Sequence, residues 1–366
     1  MQQLPQSDTV NVAALSAVFA DTTNSYKFYW LLAILDYLRD TGNPRMSMRD
    51  LSMRMLANVW YPLDYFKLSF GSRDSFKPIA VFVSQHIVVD NALNAPPLLS
   101  QLLSLPPPQQ LELEQLIKKL IKWVPYRFIR PMFASEARGL HDPKVNALVI
   151  AAANASTRAP YWFDGDSIVL HETWLQYFQQ HQAILRGFTY WHLVRFLQKN
   201  NPNVTGLTEK LEKPGLRDLS AANRFWKGYL MALPELTCIY SGEILTISNL
   251  SLDHFLPWSF VAHDQLWNII PTPKSVNSAK SNCLPSLERY FEPFAQLQFD
   301  AFRFHADKGH NKLLEDYHLL FAQDLAAIQQ MPYPTFRAGL HQQIAPRLQT
   351  AQNLGFAHGF EYGTRG

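Results

Sequence analysis

The sequence predicts a mainly α-helical protein with a small β component. Three observations carry that expectation. Apolar residues recur at helical spacing in several long stretches, from Asn24 to the region beyond Phe336. Outside residues 238–285, one stretch, Tyr161 to Leu170, reads clearly as paired strands. The composition is that of a globular chain with ample core: 47% hydrophobic and 17% charged over 366 residues. That length accommodates two or three domains.

The elements follow in order. Asn24–Arg39 (NSYKFYWLLAILDYLR) predicts a helix capped by Asn24 or Ser25 and stopped by Gly42-Asn43-Pro44. Ser47 opens a second helix reaching Trp60, with Met48, Leu51, Met55 and Leu56 inward and Arg45, Arg49 and Arg54 giving a basic face. A helix, a short turn and a helix suit a DNA reader, and equally the start of an all-α domain. Tyr61–Pro78 reads as loop and short helix. Leu111–Lys122 reads as a helix behind the breaker Pro106-Pro107-Pro108. Trp123–Phe133 reads as extended, because Pro125 and Pro131 interrupt it. Tyr161-Trp162-Phe163, Asp164-Gly165-Asp166 and Ser167–Leu170 form a hairpin pattern. One long helix is expected from Glu172 to about Lys199, with His171, His181 and His192 as core or surface histidines. Helices over Leu219–Leu230, Leu287–Phe299, Asn311–Gln330 and Phe336–Leu354 complete the chain.

Other classes are disfavoured. No run approaches the roughly 18 apolar residues of a membrane span. Val10–Ala20 is apolar, but no Lys or Arg precedes Lys27 and Asp8 intervenes, which speaks against a secretory signal. Two cysteines, Cys238 and Cys283, do not make a disulfide framework and suit a reducing cytoplasm. A net charge of +3 and a pI of about 8.7 are compatible with a nucleic-acid partner.

The most specified stretch is Cys238–Pro285, CIYSGEILTISNLSLDHFLPWSFVAHDQLWNIIPTPKSVNSAKSNCLP. It contains Asp253-His254, then Asn268 in an apolar frame, then Asn277 with Lys280 three residues on. Hydrolysing a phosphodiester needs an activated water, a clamp on the phosphate oxygens and a stabilised leaving oxygen, and a divalent ion provides the last two. Hard ions such as Mg²⁺ take oxygen ligands and keep several waters. Asp253 and Asn277 offer such oxygens. An imidazole such as that of His254 suits proton transfer near neutral pH. Asn268 is expected to have its hydrogen bonds satisfied inside the fold.

This ordered set resembles the HNH endonucleases. The resemblance implies an embedded ββα-metal finger covering this one stretch, with His254 as general base and Mg²⁺ or Mn²⁺ on Asp253 and Asn277. It also implies Asn268 bracing the loop that aims the histidine, and products carrying 5′ phosphate. Lys280 and His263 are candidate phosphate contacts. Adjacent strand residues face opposite ways. Asp253 and His254 therefore share a site only if the strand is distorted or the phosphate lies across its end. Where many relatives carry two Cys-x-x-Cys pairs, this chain has Cys238 with Ser241 and Pro273 with Val276. A tetrahedral zinc needs four good ligands, so no structural zinc is expected. Packing must hold the finger instead, with Ile239, Tyr240, Leu245, Trp258, Phe260 and Trp267 as candidate core.

The domain expectation is a mostly helical region over 1–225 with a DNA-contact or partner-sensing role, a nuclease domain over 226–300 and a helical extension over 301–366. The expected function is metal-dependent cleavage of DNA, with RNA left open, and by analogy a place in bacterial restriction or anti-phage defence. No membrane is expected as a partner; a protein partner or a second copy stays open. The alternatives are a nucleic-acid-binding protein that has lost catalysis and a helical interaction subunit of a defence complex.

Overall fold

A computed structural model describes residues 4–87, 89, 97–215 and 217–363. The chain is mostly helical, with a three-stranded and a two-stranded sheet among the described residues. It divides into two compact units: Met1–Pro202 with Leu207–Pro214, and Asn203–Gly206 with Gly215–Gly366.

The first unit is built around the helix Tyr26–Thr41. Its residues Phe28 to Leu35 are all buried, the mark of a helix enclosed on every side. Gly42 ends it in the left-handed conformation (φ 67°), which glycine adopts without a Cβ clash. Ser25 occupies the cap position, but its hydroxyl donates to Asp74 at 2.6 Å. Asp36, buried inside the helix, accepts from Arg186 and Asn58. The helix Met48–Trp60 packs alongside, capped by Ser47 accepting from Asp50 N at 3.0 Å. Leu51, Met55 and Leu56 are fully buried as expected, while Met48 is half-buried. Arg45, Arg49 and Arg54 are each ion-paired, with Asp164, Glu114 and Asp40. The expected hairpin is present as β2 (Tyr161–Asp164) and β3 (Ser167–Leu170), turning at Gly165 with φ 58°. A strand the sequence reading missed, β1 (Arg45–Ser47), pairs antiparallel with β3.

Four expectations are corrected. Trp123–Phe133 is helical, not extended: Val124–Ile129 is an α-helix and Arg130–Phe133 a 3₁₀ turn. Both prolines sit in the first turn of their element, where the missing N–H breaks no bond. For the same reason the helix Pro107–Ile121 begins inside the triple proline rather than after it. The long helix from Glu172 is two helices, Glu172–Gln180 and Gln182–Asn200, separated at His181, whose φ and ψ of −115° and 21° leave the helical region. Likewise Asn311–Gln330 divides into a 3₁₀ turn and two helices, with Ala322 left-handed at φ 51°.

The second unit packs the helices Ser220–Ala232, Leu287–Asp307 and Tyr333–Asn353 around β4 (Leu250–His254) and β5 (Ile269–Pro273). Phe255, just past β4, stacks on Phe294 of the long helix, centroids 3.9 Å apart. Backbone oxygens of the second strand and its lead-in are satisfied from the helices. Trp226 Nε1 donates to Ile269 O at 3.1 Å, and Gln298 Nε2 donates to Ile269 O at 2.9 Å. These bonds fix β5 against the core, and with it the hairpin that carries the chemistry-bearing residues.

Candidate active site

β4 and β5 pair antiparallel in a regular register that runs from Leu250↔Pro273 to His254↔Ile269. Pro271 and Pro273 are tolerated because this ladder has only two strands and needs no donors on its outer edge. The helix Lys274–Lys280 follows β5 at once. Strand, loop, strand and short helix therefore occur consecutively. The pairing contains no bulge, so the distorted strand that the resemblance allowed is not found. The other option, a site at the strand end, suits the observed position of His254 as the last residue of β4.

The loop between the strands is tightly specified. A short helix, Trp258–Val261, ends at Ala262 with φ 54°, a conformation that costs a non-glycine residue about 1–2 kcal/mol. That turn sends the chain into His263 and Asp264. Asp316 then accepts from Leu266 N at 2.8 Å and pins the far side of the loop. Asn268 is fully buried and clasps Leu256 in both directions: its Nδ2 donates to Leu256 O, and its Oδ1 accepts from Leu256 N, each at 2.9 Å. Phe255 N adds a bond to Asn268 O at 2.8 Å. Asn268 thus holds both residues that follow His254, Leu256 through its side-chain amide and Phe255 through its backbone carbonyl.

His254 is 6% exposed. Its Nε2 lies 2.8 Å from Asp264 Oδ1. A carboxylate oxygen accepts, so Nε2 is the donor in this contact and Nδ1 is the ring nitrogen that Asp264 does not engage. Asp264 is also 3.8 Å from Arg217, whose guanidinium lies over the Trp258 ring at 5.1 Å. Sequence reasoning passed over Asp264 and Arg217. The signal for Asp264 was a carboxylate inside the loop of a histidine-bearing finger; nothing local marks Arg217, which approaches from a separate segment.

Asp253 points to a different set of partners. It is 3% exposed and accepts from Tyr240 Oη and from Lys280 Nζ, both at 3.1 Å. Burial pushes its carboxyl above the usual carboxylate range, more than the Lys280 ammonium pulls it down. Burial and the neighbouring Asp253 push the Tyr240 hydroxyl up as well, so the phenol stays a donor. The sequence offered Lys280 as a phosphate contact. The structure buries its ammonium, which donates to Asp253 and, at 2.7 Å, to His254 O. Tyr240 was expected in the core and is there, but it also holds the carboxylate.

Asn277, three residues before Lys280 on the same helix, donates from Nδ2 to Ser251 Oγ at 2.8 Å and to Leu252 O at 2.9 Å. Both amide hydrogens are used on β4, and Oδ1 remains as an acceptor. Ser251 and Asp253 alternate onto one face of β4, so Asn277 and Lys280 lie along the face that carries Asp253. A carboxylate and an amide oxygen match the donor set of a hard dication that keeps water in its remaining positions. The residues fit such an ion.

The remaining candidates are local. His263 is half-buried, its Nδ1 accepting from Gln265 N at 3.4 Å and its ring 5.4 Å from that of Trp267. Cys238 is buried and closes a turn: Cys238 N donates to Glu243 O at 2.9 Å and Gly242 N to Cys238 O at 2.8 Å, with Gly242 at φ 72°. Tyr240, Leu245, Phe260 and Trp267 are buried in this unit's core, and Ile239 packs on it. Among the described residues no group of three or more His, Cys, Asp or Glu could hold a metal ion. Because Ser241, Pro273 and Val276 stand where thiols would be, elemental analysis of the purified protein is expected to show no stoichiometric zinc. About one tightly held zinc per chain, lost in Cys238→Ser, would overturn that expectation.

One comparison with known proteins finds a match. Residues 238–286 match the family model of the HNH endonucleases. The match covers the turn at Cys238, both strands and the helix after them, well under half of the chain. No curated protein and no solved structure matches the chain. No helix among the described residues is long and apolar enough to cross a membrane.

Proposed function

We propose that residues 238–286 form a ββα-metal finger and that the protein hydrolyses DNA phosphodiester bonds with a divalent ion, Mg²⁺ or Mn²⁺. The observation that carries this reading is the state of His254. A carboxylate holds its Nε2, a buried asparagine clasps the turn beside it, and Nδ1 is left as the base. In the proposed step a water oxygen attacks phosphorus, one of its protons passes to His254 Nδ1, the bond to the 3′ oxygen breaks, and that oxygen takes a proton from a solvent water. The products are a 5′ phosphate and a 3′ hydroxyl. Asp253 and Asn277 would hold the ion, which when bound supplies positive charge against the phosphate and the leaving oxygen. Tyr240 and Lys280 orient Asp253, and Asn268 and Asp264 orient His254.

Supercoiled plasmid incubated with Mg²⁺, Mn²⁺ or EDTA tests the reading. Relaxed or linear product with metal and none with EDTA supports it; no product under any metal condition sinks it. One observation favours a second reading, a finger that binds nucleic acid without cutting: Asp253 already has a buried cation in Lys280. Retained DNA binding without cleavage is the outcome that selects it.

Asn277 gives a graded prediction. Asn277→Ala removes a neutral oxygen that water can replace, so its activity should fall and recover partly as Mn²⁺ is raised. Asn277→His should stay active with Mn²⁺, because that ion accepts imidazole readily. Cleavage rate against metal concentration is the measurement. A folded but dead Asn277→His would remove this residue from the ion's ligands.

A further inference from the structure

Lys280, the lysine that the sequence offered as a phosphate contact, is buried and committed to Asp253 and His254 O. A different cation stands beside the histidine. Arg217 Nη1 is 3.8 Å from Asp264 Oδ1, the same oxygen that lies 2.8 Å from His254 Nε2. The three side chains run inward from solvent: that of Arg217 is 38% exposed, that of Asp264 23%, and that of His254 is buried.

The surroundings hold the guanidinium without using its donors. It lies over the Trp258 ring, 5.1 Å from the centroid, a stacking that fixes its plane and leaves its N–H groups at the edge. At 3.8 Å the contact with Asp264 is an ion pair, too long for a hydrogen bond. Arg217 makes no hydrogen bond among the described residues. Asp218, next in the chain, accepts instead from Ser220 N at 2.9 Å, just ahead of the helix Ser220–Ala232. Asp264 in turn is shared with His254. A guanidinium has five N–H donors in a planar fork that matches two oxygens of a phosphate.

We propose that Arg217 binds a backbone phosphate of the DNA beside the one that is cut, with Trp258 as its platform. This contact rests on the nuclease reading of the finger and adds to it the residue that holds the strand against the base. Arg217 acts on affinity and placement, because phosphate contacts position a protein without reading sequence. Asp264 acts on the imidazole.

The test is fluorescence anisotropy of the full chain in EDTA, so that no cleavage occurs. The probes are two labelled duplexes of unrelated sequence, titrated from about 50 to 200 mM NaCl. Arg217→Ala should weaken both alike by about 10-fold, the scale of a charge-assisted hydrogen bond, and lower the salt slope by about 1. Arg217→Lys should keep the slope, because the charge remains, and lose part of the affinity, because the fork is gone. Asp264→Asn should bind at least as well as the wild type, since it removes a carboxylate that competes with the phosphate. With Mg²⁺, Arg217→Ala should raise KM by a similar factor and leave the pH dependence of kcat unchanged.

Unchanged affinity and slope in Arg217→Ala, with a lower kcat and a shifted pH profile, would make Arg217 a brace for Asp264 and overturn the proposal. Loss on one sequence only, equal weakening in Asp264→Asn, or no duplex binding by the wild type at the lowest salt overturns it as well. If the alanine variant does not fold, the lysine variant decides: affinity equal to the wild type denies the two-pronged contact. Failure of the nuclease reading looks different. A wild type that cuts nothing with any metal, while Arg217→Ala still loses affinity and slope, is a finger that binds through this contact without cutting.

Discussion

Asp253→Ala is expected to show no cleavage at any practical Mg²⁺ concentration, and to lose stability as well. The first effect follows from charge: Asp253 is the only charged ligand assigned to the ion, and an amide oxygen alone attracts a hard dication poorly. The second follows from burial. Lys280 is 1% exposed, and its ammonium has two oxygen partners, Asp253 and His254 O. Removing one member of a buried pair leaves an uncompensated charge, at a cost of about 3–5 kcal/mol. Tyr240 Oη loses its acceptor in the same variant. Loss of activity in Asp253→Ala alone would therefore be ambiguous.

The double variant Asp253→Ala/Lys280→Met separates the two effects. It removes both charges and fills the space with an unbranched apolar chain, so its unfolding midpoint should recover towards the wild type while cleavage stays absent. Recovery of cleavage together with the midpoint would mean that Asp253 serves the fold and not the reaction. Near-normal cleavage by the single variant would discard the assigned ion site altogether.

The parts of this chain that were legible in its sequence are those governed by local rules. The cap at Ser47, the stop at Gly42 and the hairpin around Gly165 each depend on a few neighbouring residues, and each is where the pattern placed it. The resemblance carried by Asp253, His254, Asn268 and Asn277 implied one strand, loop, strand and helix, and that unit is local in the chain. What the sequence hid depends on longer reach or on position within a turn. Proline at Pro125 and Pro131 reads as a breaker until it is known to sit at a helix start. The break at His181 has no proline or glycine to announce it. Lys280 looked like a phosphate contact because lysine is usually exposed; only the fold reveals Asp253 and His254 O as its partners. Asp264 and Arg217 stay unremarkable until Ala262 turns the chain and brings the carboxylate to His254.

His254→Ala should lower the cleavage rate by about 10²-fold or more while DNA binding persists. The imidazole makes few contacts that the fold needs: its one side-chain partner is Asp264, and the backbone bonds that shape the turn belong to Asn268 and Phe255. A base lost from an otherwise intact pocket can be replaced from solution, so added imidazole should restore part of the rate. Asp264→Asn makes the complementary test. It keeps an oxygen that can accept from Nε2 but removes the charge and offers an amide that can turn its N–H towards the ring. Both changes loosen the hold on the tautomer, with an expected loss of about 10-fold or more, the scale seen when the partner of a functional imidazole is removed. Imidazole should not rescue Asp264→Asn, since the base is still present and only misdirected. A His254→Ala protein that cuts near the wild-type rate would remove His254 from the mechanism. Equal rescue of both variants would mean that Asp264 does not act through His254.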